Sequence, residues 1–158
     1  MDRKIKWVKS EKDIPAYKLR GKSPNKKITS GAYMPWNNTI YLIKGKSPKY
    51  VEYHEIFHAQ KRHPLKPKTP LQDAQMEIEA TMYAYKQTGH PTHVLGTLGG
   101  ICKGLIVDWH LSANRASQII NHALINSHAP DGWMRDLAEL KSHINKGYWA
   151  GVGKEEKK

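Results

Sequence analysis

The sequence predicts a small α+β protein, with a short sheet near the N-terminus followed by a succession of helices. Three observations carry this. The run Thr39-Ile40-Tyr41-Leu42-Ile43 is β-branched and aromatic and is closed by Gly45, which reads as a strand. From residue 47 onward the chain repeatedly shows helix start and stop signals. The length of 158 residues is that of one ordinary domain, and 39% hydrophobic residues, five Trp and eight Tyr suffice for a core. Residues 1–150 are therefore expected to form a single domain and residues 151–158 a flexible basic tail.

Taken in order, residues 1–30 are basic and hydrophilic, with isolated apolar anchors at Ile5, Trp7, Val8, Ile14 and Tyr17. They read as a short strand and irregular segments draped over a core. Ser30 to Trp36 is extended, Asn37-Asn38 turns, and the strand Thr39–Ile43 follows. Ser47 is an N-cap candidate and Pro48 suits the first helical position, so a helix opens there and runs to His63, where Pro64 stops it. The segment 64–70 holds three prolines and two lysines and should be a stiff, exposed, basic connector. A second helix extends from about Leu71 to Thr88, with Gly89 as its C-terminal cap. Val94 to Val107 is the most apolar stretch, but it is glycine-spaced and carries Lys103, whereas a membrane-spanning helix needs roughly 20 apolar residues. It reads as a buried helix or loop. A helix around Ala116–Ile125, a turn at Pro130-Asp131-Gly132 and a last helix over Trp133–Ile144 complete the chain.

Composition narrows the function classes. Lys and Arg number 26 against 14 Asp and Glu, a net charge of +12 that favours acidic partners. Cys102 is the single cysteine, so internal disulfides and cysteine-cluster metal sites are excluded, and any metal must sit on His and carboxylates. The charged opening Met1-Asp2-Arg3-Lys4-Ile5-Lys6 is unlike a secretory leader, which makes the cytoplasm the expected compartment and a membrane partner unexpected.

The informative residues are His54-Glu55-Ile56-Phe57-His58, an H-E-x-x-H pattern on the first helix. Residues four apart on a helix differ by only ~40° in azimuth, so both imidazoles reach one cation from the same face. Glu55 can take a proton from a water on that cation. Zn²⁺ suits two neutral imidazoles and a carboxylate; it acidifies its water and polarises a carbonyl, the requirements of amide hydrolysis. Chance alone would produce the pattern in roughly 2 to 3% of chains of this His and Glu content, so a third ligand is needed to support it. A continuation of the same helix does not supply one, because Lys61 and Pro64 stand where a further Gly and His would be required. The second helix offers Glu77 and Glu79, about 200° apart, of which one at most faces the metal. Glu77 shares its stripe with Asp73, Ala74, Ala80, Thr81 and Ala84, mostly small side chains that permit close helix packing, and is the better ligand.

The succession of strand Thr39–Ile43, helix His54-Glu55-Ile56-Phe57-His58 and Glu77-Ile78-Glu79-Ala80-Thr81-Met82-Tyr83-Ala84 resembles the gluzincin metallopeptidases. It is most similar to the small ImmA/IrrE-like and minigluzincin types, whose second helix reads Glu-x-x-Ala-Asn/Asp-x-Phe-Ala. The resemblance covers roughly residues 35–90. It puts Glu77 at the family's glutamate ligand, Thr81 at the Asn/Asp position and Tyr83 at the aromatic one, while Phe57 stands where Gly is common. It implies a zincin-like domain with one Zn²⁺ per chain held by His54, His58 and Glu77, Glu55 as the catalytic base, and additional C-terminal helices. It also implies an edge strand, which would be Thr39–Ile43, that holds an extended peptide by β-augmentation. The lysines of the 64–70 connector would favour acidic substrate.

Other residues carry weaker expectations. His63, His90, His93, Tyr83 and Tyr85 could each donate to a developing oxyanion, but each is more readily a surface or core-edge side chain. His110, His122, His128 and His143 lack metal-ligand spacing. The segment from Leu105 through Ser112 to Leu124 has a helix-turn-helix look, yet Arg115 alone adds a cation to its second helix, which predicts at most weak, non-specific nucleic-acid binding. The reading is a zinc metalloendopeptidase acting on a protein or peptide. Its rival is a basic nucleic-acid-binding or regulatory protein whose zincin core is structural or inactive.

Overall fold

The computed structural model describes residues 2–15, 31–64, 66–89 and 94–145. They form an α+β chain of three strands, β1 (Lys4–Val8), β2 (Gly31–Met34) and β3 (Thr39–Ile43), and five helices, α1 (Lys49–Lys61), α2 (Pro70–Thr88), α3 (Val94–Val107), α4 (Ala113–Asn126) and α5 (Asp131–Asn145). The expected tail 151–158, together with Tyr17, His90 and His93, lies outside the described residues. The chain makes two compact units, Met1–Pro67 with Ala80–His90, and Lys68–Glu79 with Pro91–Lys158.

In the first unit the strand order is β1-β3-β2. β1 runs parallel to β3 from Lys4 opposite Thr39 to Val8 opposite Ile43. β2 runs antiparallel to it, with Gly31 opposite Leu42. Thr39–Ile43 is therefore the central strand and not the peptide-holding edge that the family resemblance implied. The reason is legible in its side chains: all five residues are buried, and such a run suits a strand covered on both faces. Ile40 and Leu42 pack with Tyr33, Ala59, Val51 and Ile56 on one face. Tyr41 and Ile43 pack with Val8, Ile14, Met34 and Ala32 on the other. The edges are β1 and β2, and β1 exposes Lys4 and Lys6 in the way edge strands discourage further pairing.

Helix α1 starts and stops differently from the sequence expectation. The Ser47 hydroxyl does not cap it but accepts the Ile43 N–H at 2.8 Å. Pro48 is the N-cap residue, and its carbonyl accepts from Val51 and Glu52. The helix ends at Lys61 because Arg62 turns left-handed (φ 50°). The Arg62 N–H then bonds Ala59 O at 3.2 Å and the His63 N–H bonds His58 O at 3.0 Å, the paired reversal of a Schellman motif.

Helix α2 opens with Thr69 Oγ1 accepting the Gln72 N–H at 3.0 Å while Gln72 Oε1 accepts the Lys68 N–H at 2.7 Å, a capping box variant with Pro70 at the first position. It closes at Gly89, whose φ of +70° lets its N–H reach Tyr85 O at 2.7 Å. Ala74, Met76, Ile78, Ala80, Thr81 and Ala84 are all buried, so α2 is enclosed on more than one side. Of the three points at which the chain passes from one unit to the other, one falls within this helix, between Glu79 and Ala80.

The second unit is built on α3, α4 and α5. The glycine-spaced stretch is a helix, α3, burying Leu98, Cys102, Leu105 and Ile106, and α4 and α5 contribute Ile120, Leu124, Trp133, Leu137 and Leu140. Burial pushes the Cys102 thiol up to about 11, which keeps it protonated and unreactive at neutral pH. Trp109 Nε1 donates to Asp73 Oδ2 at 3.0 Å, tying the segment after α3 to the start of α2. Ser112 caps α4, its hydroxyl accepting the Arg115 N–H at 3.1 Å. No helix among the described residues is long and apolar enough to cross a membrane.

Two glycines give opposite stability predictions. A Cβ at Gly31 would lie 3.0 Å from Leu42 Cδ2 and from the Tyr41 carbonyl oxygen, so Gly31→Ala should lower stability by about 1–3 kcal/mol. A Cβ at Gly96, in α3, meets nothing within 4 Å, so Gly96→Ala should raise it by about 0.5–1 kcal/mol. Urea denaturation of the two variants beside the parent protein checks both signs.

Candidate metal centre

Helix α1 is seated on the sheet through Val51, Ile56 and Ala59. This leaves His54 and His58 on a neighbouring stripe, one turn apart. Their Nε2 atoms face each other at 3.1 Å, with the rings nearly perpendicular. Two imidazole nitrogens on one tetrahedral Zn²⁺ sit about 3.3 Å apart, given bonds of about 2.0 Å, so the pair is spaced for a shared ion. On α2, Thr81 is 1% exposed and its Oγ1 lies 3.4 Å from His54 Nδ1. Glu77 is one turn before Thr81 on the same continuous helix. The ligand atoms of His54, His58 and Glu77 all lie within 4.8 Å of one another. Glu79 is not part of this group. The structure thus brings together the three residues that the sequence singled out as ligands.

No family model, curated protein or solved structure matches this chain.

The donor set fits a divalent cation, and the surrounding hydrogen bonds agree with it. Ligation through both Nε2 atoms requires both Nδ1 atoms to carry the proton, and each then needs an acceptor. His58 Nδ1 has one in His63 Nδ1 at 2.8 Å, and His54 Nδ1 has the longer contact to Thr81 Oγ1. Glu55 lies on the same helix as the two histidines, 9% exposed and with no hydrogen-bonded or ion-pair partner among the described residues. On α1, Glu55 stands about 60° round the helix from His58 and next in sequence to His54.

The other candidates divide plainly. Tyr83 packs against Tyr53 and Phe57, with ring centroids 6.2 and 5.5 Å apart, in an aromatic cluster beside the histidines. Phe57 also lies against His63 at 5.7 Å. His63 is engaged with His58. Tyr85 is half-buried on α2. The contact of His63 with His58 escaped the sequence reading, because it arises from the left-handed turn at Arg62. The proline at 64 announces a helix end but not the direction of the chain beyond it.

Metal binding tests the ligand set directly. Chelator-stripped protein titrated with Zn²⁺ should take up about one ion per chain. His54→Ala and His58→Ala should each weaken it by more than about 100-fold, beyond what loss of an outer contact costs. Glu77→Gln should weaken it substantially, and Glu79→Gln should change it by less than about threefold, the threshold below which no ligand has been lost. Full occupancy in either histidine variant would reject the centre.

Proposed function

We propose that this chain is a zinc-dependent metallopeptidase with a zincin-like domain of the gluzincin type. The observation that carries the reading is the convergence of His54, His58 and Glu77, with Glu55 on the same helix as the two histidines. A cation held by the three ligands supplies polarisation of a carbonyl and acidification of a water. The residues do the rest. Glu55 accepts one proton from the attacking water as its oxygen bonds the carbonyl carbon, then passes that proton to the amide nitrogen as the C–N bond breaks. The products are a carboxylic acid and an amine, with no other reactant required.

The substrate class is a protein or peptide, bound in extended form. Since β3 is paired on both sides, a peptide strand would add at the outer edge of β2. Lys66 and Lys68 are exposed on the connector before α2 and favour acidic residues in that peptide. The cytoplasm is the proposed compartment. The rival nucleic-acid reading gains little support from α4, whose exposed face of Asn114, Arg115, Gln118, His122 and Ile125 carries one cation. That guanidinium is already donating to Gln118 Oε1.

Because a general base acts in the transition state and not in ground-state metal holding, Glu55→Gln should retain fold and zinc while cutting hydrolysis of an unstructured protein substrate by at least ~100-fold. Parallel assays of zinc content, circular dichroism and cleavage read the three properties separately. Zinc-loaded protein that leaves such substrates intact, yet holds a DNA duplex tightly at physiological salt, would replace this reading with the regulatory one.

A further inference from the structure

We infer that His63 is a positioning residue of the metal centre: its Nδ1 accepts the Nδ1–H of His58 and so presents the Nε2 lone pair of His58 to the ion. This rests on the metal reading of His54, His58 and Glu77 and is independent of whether the chain cleaves peptides. The two Nδ1 atoms lie 2.8 Å apart, with ring centroids at 5.1 Å and an interplanar angle of 66°. A single proton occupies that contact. When His58 ligates through Nε2 its remaining proton is on Nδ1, so His63 must be the acceptor, with its own proton on Nε2.

Two features hold His63 in this position. The left-handed Arg62 reverses the chain, and the resulting bond of the His63 N–H to His58 O at 3.0 Å brings the backbone of residue 63 back over the turn that carries His58. The ring of Phe57 then packs against the ring of His63 at 5.7 Å. The bulky residue before the second histidine and the non-glycine left-handed cap thus share one consequence. Both place an imidazole acceptor behind a ligand, where a carboxylate or carbonyl oxygen more often stands.

Acceptor and packing roles can be separated at this residue. His63→Asn keeps an acceptor, since Asn Oδ1 takes nearly the place of His Nδ1, but loses the ring. His63→Phe keeps the ring and loses the acceptor. Zn²⁺ affinity, read by competition with a chromogenic chelator, should fall by about 10–100-fold in His63→Phe and stay within about threefold of wild type in His63→Asn, the range expected for losing and keeping an outer contact. Nitrogen-15 NMR of the zinc-loaded wild-type protein should show His58 Nδ1 protonated, His63 Nδ1 unprotonated, and a coupling between the two nitrogens across the hydrogen bond. Unchanged affinity in His63→Phe, an equal loss in His63→Asn, or a protonated His63 Nδ1 would each overturn the inference. Should either variant fail to fold by circular dichroism, the wild-type spectrum alone decides. Wild-type protein that takes up no Zn²⁺ would reject the metal centre and this inference together, whereas zinc uptake with an indifferent His63 rejects this inference only.

Discussion

The seating of α1 on the buried strand β3 is the constraint on which the histidine pair depends. A helix carries two ligands four residues apart wherever it lies, but their rings meet at a defined point only if the helix is held in rotation. Here Val51, Ile56 and Ala59 are locked against Tyr33, Ile40 and Leu42. Turning α1 would pull these side chains out of a core from which they are inseparable without loss of several buried methyl groups, each worth about 0.8 kcal/mol. β3 in turn is held by hydrogen bonds along both edges, parallel to β1 and antiparallel to β2. Precision at the imidazoles is therefore inherited from the buried strand on which the helix rests.

Two neutral groups stand behind the histidine pair. Thr81 offers a hydroxyl to His54 and His63 an imidazole to His58, while Glu77 brings the single carboxylate of the ligand group. With two neutral imidazoles and one carboxylate as ligands, a divalent ion in this site would keep a net positive charge.

Much of the fold was legible because its signals are local. Thr39–Ile43 is bounded to the residue by its apolar run and Gly45, while α2, expected from about Leu71 to Thr88, begins one residue earlier at Pro70 and ends before Gly89. The histidine spacing and the small side chains Ala74, Thr81 and Ala84 around Glu77 are likewise readable without tertiary knowledge, since each depends on one helix period. What escaped depends on distant partners or on backbone conformations with no residue signature. The pairing of β1 with β3 joins segments more than thirty residues apart, and without it β3 reads as an edge. Ser47 is a good N-cap type, but its hydroxyl is taken by Ile43 N–H. A left-handed arginine at position 62 has no compositional warning, and with it went the contact of His63.

The division of the chain within α2 has a consequence for how the protein can be taken apart. Neither compact unit is contiguous: the first resumes at Ala80 after leaving off at Pro67, and the second begins at Lys68, breaks at Glu79 and resumes at Pro91. No single cut in the backbone can release either one whole, and a cut at the junction between Glu79 and Ala80 severs an uninterrupted ladder of helical hydrogen bonds. The helix that carries Glu77 and Thr81 is thus a shared spine, and truncation mapping, the usual route to a minimal active fragment, has no clean place to begin.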